Sequence, residues 1–258
     1  NVSEKDHLLT IELNRPEASN AFDEEMISEF VECLETADEN NNIRCILITG
    51  SGKHFCAGGD VKGMKTKAGM FSGDANELRE RYKRGIQKIP VAFERLSTPT
   101  IAAVNGAAIG AGLDMACMCD IRVASNKAKF GETFVKLGLV PGDGGSYFLQ
   151  RVVGFAKAME MTLTANIYDS KEALAMGLVT YEGADFEEKA MELANSIIKN
   201  APIAVQMGKR SIEMARKSDL QAVLDLMAAY QGITQRTEDH FEGLDGLLEK
   251  KTPAFKHK

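Results

Sequence analysis

Tryptophan is absent from this chain, proline occurs six times, histidine four times, and aromatic residues make up only 7%. No window approaches the roughly 18 consecutive apolar residues of a membrane-spanning helix, which excludes that class. Positive charge is not in excess either. Lys and Arg number 31 against 37 Asp and Glu, a formal net charge of -6. Such a chain has no bulk attraction for phosphate backbones or anionic lipid, so neither nucleic acid nor membrane is an expected partner. The five cysteines (Cys33, Cys45, Cys56, Cys117, Cys119) are odd in number, lack Cys-x-x-Cys spacing and have no histidine at zinc-ligand spacing. They predict reduced, mostly buried thiols and no metal site. The expected compartment is the cytoplasm, or the mitochondrial matrix if a transit segment has been removed. The opening Asn1-Val2-Ser3-Glu4-Lys5-Asp6 is charged and lacks the apolar core of a signal peptide.

What is present suits a globular protein. With 258 residues, 44% hydrophobic and 26% charged, the chain can bury a sizeable core. His7 to Leu13 predicts a strand closed by the turn Asn14-Arg15-Pro16-Glu17. Met26, Ile27, Phe30, Val31, Leu34 and Ala37 recur at helical spacing and predict an amphipathic helix over Asp23 to Glu39. Cys45 to Ile48 and Pro99 to Val104 are short apolar runs followed by glycine turns, the pattern of buried strands. Residues 62–76 are rich in glycine and lysine and predict a mobile surface loop, followed by one helix from Ala75 to Arg95. Leu113 to Cys119 predicts a buried helix and Ile121 to Ala124 the next strand. After Asn200-Ala201-Pro202 only helical patterns remain, over Ile203 to Lys217 and Leu220 to Lys250. The division is therefore a core over 1–200 and a helical region over 201–258 suited to subunit packing.

Two glycine-rich turns directly follow buried strands: His54-Phe55-Cys56-Ala57-Gly58-Gly59-Asp60, and Asn105 to Gly112, which runs into the buried helix. Small side chains let a ligand touch the backbone, and a helix start offers unpaired, partly positive N–H groups. The place suits an anion or an oxyanion. Nucleotide cradles fail the test: counted from Gly110 and Gly112, Gly-x-Gly-x-x-Gly would need glycine where Met115 stands, and Gly52-Lys53 is followed by His54 where a P-loop has Ser or Thr. Gly145-Ser146-Tyr147-Phe148 does not complete a serine nucleophile elbow. The competing reading of each turn is an ordinary tight connection between packed elements.

The strings FCAGGD at 55–60, AAVNGAAIGAGLDMACMCDIRVAS at 102–125 and AKFGETFVKLGLVPGDGGSYFLQRVVG at 128–154 resemble the signature regions of the crotonase (enoyl-CoA hydratase/isomerase) superfamily. LNRPEASNAF at 13–22 and EKKTPAFK at 249–256 resemble the same family's ends. The resemblance implies an α/β fold, a spiral of ββα units with a C-terminal helical trimerisation region, often in a dimer of trimers. It implies an acyl-CoA thioester substrate, with coenzyme A as part of the substrate and no metal or redox cofactor. It places the oxyanion-hole donors at the backbone N–H groups of Ala57 and Ala111. Gly59, Asp60, Val61 and Lys62 resemble the segment lining the adenine end of CoA, and Lys250 matches a lysine that reaches the CoA phosphates, in some relatives from a neighbouring subunit.

Proton transfer next to a thioester needs a carboxylate. Asp114, three residues past Ala111 in an apolar helix start, is the first candidate, because such a setting raises a carboxyl pKa towards a working value. The competing reading is an acid that satisfies the helix start. The family commonly has Glu here, one methylene longer. The typical hydratase has a second glutamate where this chain has Phe134. Glu132 and Asp143 are the nearby substitutes, each equally readable as a surface or turn-capping acid. The expected chemistry is hydration or a double-bond shift of an enoyl-CoA through an enolate. The alternatives are an acyl-CoA decarboxylase or hydrolase of the same fold, and a non-catalytic CoA-binding scaffold.

Overall fold

The computed structural model describes residues 1–258 and holds ten strands and twelve α-helices. The strands are β1 Val2–Lys5, β2 Leu8–Leu13, β3 Cys45–Gly50, β4 His54–Cys56, β5 Thr100–Val104, β6 Ala107–Ile109, β7 Ile121–Ser125, β8 Lys129–Gly131, β9 Ile167–Asp169 and β10 Tyr181–Gly183. The helices of the first half are α1 Glu24–Glu39, α2 Val61–Thr66, α3 Ala75–Arg84, α4 Lys88–Arg95 and α5 Ala111–Met118. Those of the second half are α6 Gly145–Val153, α7 Phe155–Thr164, α8 Ser170–Ala175, α9 Phe186–Ile198, α10 Pro202–Ala215, α11 Leu220–Thr234 and α12 Glu238–Glu249.

Two sheets stand side by side. The larger has the order β1-β2-β3-β5-β7-β10 and the smaller β4-β6-β8-β9. Each of β3, β5 and β7 belongs to the larger sheet, and the chain then turns within a few residues into β4, β6 or β8 of the smaller one. Repetition of that strand-turn-strand step, with helices between the repeats, builds the spiral. Neighbouring repeats pair in parallel, as in Ile101↔Ile121 and Ala107↔Lys129.

The apolar run of β3 is explained by cover on both faces. Cys45 and Leu47 face Phe186, Ala190 and Ala194 of α9, whereas Ile46 and Ile48 join the main core with Leu34, Phe55 and Leu113. All eight residues of α5 are buried, so its ends and side chains are fixed by packing on every side.

Three sequence expectations are corrected. Residues 62–76 are not a loop: α2 occupies Val61–Thr66 and a 3-10 turn Gly69–Phe71. Asp60 starts α2 by accepting the Lys62 N–H at 2.9 Å, an N-cap that outweighs the glycine content. The single helix from Ala75 to Arg95 is two, because Pro90 lacks an N–H and its ring would collide with the carbonyl four residues earlier in a continuous helix. The chain breaks at Gly85 and restarts with Pro90 in the first turn of α4. Likewise Leu220 to Lys250 is divided at Thr237, whose hydroxyl caps α12 through the His240 N–H at 3.0 Å.

Candidate active site

The two glycine turns meet at the ends of neighbouring parallel strands, β4 and β6, which pair His54 with Ala107 and Cys56 with Ala108. Gly58 has φ +90°, and a Cβ there would lie 2.7 Å from the Ile109 carbonyl oxygen and 3.3 Å from the Ala111 nitrogen. Only glycine lets the backbones close to this distance. The first turn is fixed from outside by the Phe22 N–H, which donates to the Gly58 carbonyl at 2.8 Å.

The amide assigned to the first turn needs correction. The Ala57 N–H already donates to the Ser19 carbonyl at 3.0 Å, so it is not free for a ligand. The Gly59 N–H, two residues on, has no acceptor, and neither does the Ala111 N–H at the first position of α5. Ala111 therefore keeps its place and Gly59 replaces Ala57 as the available donor. Sequence reasoning missed the exchange because the partner of Ala57 is 38 positions away. Above Gly59 lie Met64 of α2 and Phe71 of the 3-10 turn: a Cβ there would be 2.6 Å from Met64 Cε and 3.7 Å from Phe71 Cζ.

Next to these amides the structure collects three carboxyl groups. Asp114 and Glu132 are fully buried and Asp143 is 7% exposed. Their burial removes the surface reading of Glu132 and Asp143. Asp114 is set by α5, Glu132 by the end of β8 and Asp143 by the turn before α6. The Gly145 N–H donates to Asp114 Oδ2 at 3.1 Å. Asp114 Oδ1 and Glu132 Oε1 both crowd the side of Gly145 where a Cβ would stand, so glycine is required there. Asp114 Oδ1 and both Glu132 oxygens have no hydrogen-bond partner in the protein.

Burial is the first cause of an upward pKa shift in all three. Asp114 is raised well above the usual carboxyl range by burial, then by the charges of Glu132 and Asp143. Glu132 is pushed up to about 7 by burial; the neighbouring Asp114 carboxyl acts the other way and the Asp143 charge adds to the rise. Asp143 is pushed up to about 6 by burial. Two carboxylates in contact outside water cannot both ionise cheaply. Asp114 and Glu132 thus titrate as one unit that retains a proton towards neutral pH.

Phe134, at the position of the missing glutamate, packs its ring against Gly110, with Cζ 3.5 Å from where a Cβ would be. It gives the site an apolar wall beside Ala111. The sequence reading also missed Tyr82 of α3, whose ring lies on Gly142 and whose phenol pKa is raised by burial and then by Asp143. No spacing in the sequence connects α3 with that turn.

Of the residues matched to CoA binding, Asp60 caps α2, Val61 is 53% exposed, and Lys62 is exposed on the same turn. Lys250 is exposed at the end of α12 in a left-handed conformation, and no hydrogen bond or ion pair within the chain joins it to 59–62. No helix is long and apolar enough to cross a membrane.

Comparison with known proteins places the chain in a family. Residues 3–258 match the family model described as enoyl-CoA hydratase/isomerase. The chain is 34% identical to 1,2-epoxyphenylacetyl-CoA isomerase of Escherichia coli over 96% of its own length and 94% of the relative's. It is 35% identical to short-chain-enoyl-CoA hydratase of Clostridium acetobutylicum, with the same coverage. The crystal structure of an enoyl-CoA hydratase from Bacillus anthracis superposes with a TM-score of 0.93 at 32% identity, covering 100% of this chain and 99% of that one. The chain belongs to the enoyl-CoA hydratase/isomerase family.

Proposed function

We propose that this enzyme shifts the double bond of an enoyl-CoA thioester, holding the thioester oxygen with the Gly59 and Ala111 amides and moving the proton with Asp114 and Glu132. The observation that carries the reading is that these two buried carboxyls converge on one side of Gly145, where burial and their like charge keep one of them protonated towards neutral pH. At neutral pH such a pair offers one base and one acid. The base takes a proton from one carbon of the acyl chain, the electrons move onto the thioester oxygen as an enolate, and a proton returns at the carbon two bonds away. Two fixed donors oppose the developing charge, and losing one such donor costs about 2.7–4 kcal/mol in comparable sites. Phe134 and Met64 supply apolar walls that keep water from the enolate. No cofactor enters this scheme, since coenzyme A arrives as part of the substrate.

Hydration is the second reading, favoured by the unpartnered oxygens of Asp114 and Glu132, which could hold a water between them once substrate separates them. Absorbance of the conjugated enoyl thioester distinguishes the two. Incubation with a 3-enoyl-CoA is expected to raise it, whereas crotonyl-CoA is expected to leave it nearly constant. A rapid fall with crotonyl-CoA and no rise with the 3-enoyl substrate would reverse the assignment in favour of hydration.

A further inference from the structure

Beyond the acid pair, α5 and α6 run packed against each other away from the two amides. Cys117 and Met118 are the next turn of α5 after Asp114, and Phe148 is the next turn of α6 after Gly145. Met118 Cε and Phe148 Cδ2 come within 3.1 and 3.3 Å of where a Cβ on Gly144 would be, so these two side chains form the partition at the far side of the acid turn. Behind them opens a cavity of about 480 Å³ with Cys117, Met118 and Phe148 in its wall. Arg151, six residues along α6 from Gly145, lies about 9 Å further on at 1.5 Å per residue.

The charges in that cavity do not balance locally. Its three acids are already engaged: Asp120 with Lys209 at 2.9 Å, Glu94 with Lys217, and Glu213 with Arg210 at 3.2 Å. Three guanidinium groups remain. Arg122 is buried and spends Nε and Nη1 on the carbonyls of Leu178, Ala116 and Cys119, leaving Nη2 without a protein acceptor. Arg151 stacks 3.5 Å from the centre of the Tyr147 ring and donates only to the Tyr147 carbonyl. Arg216, exposed at the mouth, has no side-chain hydrogen bond or ion pair, and its pKa is lowered by burial and then by the Arg151 charge. Arg216 also feels the Glu213 carboxylate, but that acid is paired with Arg210; guanidiniums without a carboxylate of their own repel one another, and a bound anion relieves the repulsion while using the forked donor geometry.

We propose that this cavity receives the far end of the acyl chain and that the preferred substrate ends in a carboxylate held by Arg151 and Arg216. The proposal rests on the acyl-CoA reading of the site. Met118 has an unbranched, flexible side chain and yields to the chain as it passes from the acid pair into the cavity. The apolar partition holds the methylene groups, and the cationic mouth holds the terminal anion.

The test is calorimetric binding of unreactive saturated thioesters, which separates recognition from turnover. Adipoyl-, suberoyl- and sebacoyl-CoA are compared with hexanoyl-, octanoyl- and decanoyl-CoA. At least one dicarboxylic member is expected to bind ten times more tightly than its methyl-ended counterpart. That ratio is expected to fall below threefold in Arg151→Gln/Arg216→Gln, with Arg151→Lys retaining part of it, and circular dichroism confirms that each variant is folded. Equal or weaker binding of all three dicarboxylic thioesters overturns the proposal. So does a preference that survives the double substitution. Tight binding of the methyl-ended series without any carboxylate preference leaves the acyl-CoA reading standing while this one falls, and failure of both series to bind overturns both.

Discussion

At the scale of single residues, the site depends on carboxyl groups kept out of water. Asp114→Asn removes one member of the proton-moving pair and should lower kcat by about 10²–10⁴-fold while a saturated acyl-CoA still binds; unchanged turnover would exclude Asp114 from the chemistry. Asp143 acts on the pair by its charge, which raises both Asp114 and Glu132. Asp143→Asn takes that charge away, so the acid limb of the kcat/KM profile should move to lower pH; a limb that stays in place would show that Asp143 does not influence the pair. Stability gives an independent measure. The folded-state pKa of Glu132, about 7, lies above its ordinary 4.5. Its contribution is fully present below about pH 4.5 and is lost as pH rises through 7, because the unfolded chain gives up the proton first. Glu132→Gln should therefore stabilise the fold at pH 8, by up to the order of 3 kcal/mol, seen as a higher Tm, and the gain should vanish towards pH 4. A gain independent of pH would contradict the burial argument.

At the scale of elements, the turns and the helix start hold the groups in place. Gly145→Ala puts a methyl group into the space used by Asp114 Oδ1 and Glu132 Oε1, and activity should fall at least a hundredfold with helix content unchanged by circular dichroism. Retained activity would mean that the two carboxyls need not meet. Much at this scale was legible in advance. The alternation of β2, the runs of β3 and β5 and the spacing of α1 were visible because each records local burial. The position of α5 was visible because no polar residue but Asp114 interrupts it. What escaped was decided by distant partners or by caps. Asp60 turns a glycine-rich stretch into α2, Pro90 ends one helix and begins another, and Ser19 occupies the Ala57 amide. Glu132 and Asp143 could be named as candidates, but only the folding of β8 and the α6 turn onto α5 removes them from the surface.

At the scale of the whole molecule, the C-terminal helices leave apolar surface uncovered. No residue of α11 is buried, and Leu220, Leu224, Phe241, Leu247 and Leu248 are all more than half exposed. Apolar surface of this extent is typical of an interface, and the trimer or hexamer that the family resemblance implies is an expectation that solution measurements can check. The C-terminal tail itself returns to the core, where Arg44 donates to the Phe255 carbonyl at 2.7 Å. Sedimentation should show no monomer at micromolar concentration, and Leu224→Lys with Leu247→Lys should shift the population to smaller species. A monomeric parent would mean that these helices pack against something other than a second copy.

In the proposed reaction two peptide amides grip one thioester oxygen. The vibrational frequency of a thioester carbonyl labelled with carbon-13, read by infrared difference spectroscopy as an enoyl-CoA binds, reports this directly. A clear shift to lower frequency on binding is expected, as two hydrogen bonds at Gly59 and Ala111 weaken the carbonyl double bond. A bound carbonyl vibrating at the frequency found in water, or higher, would contradict it.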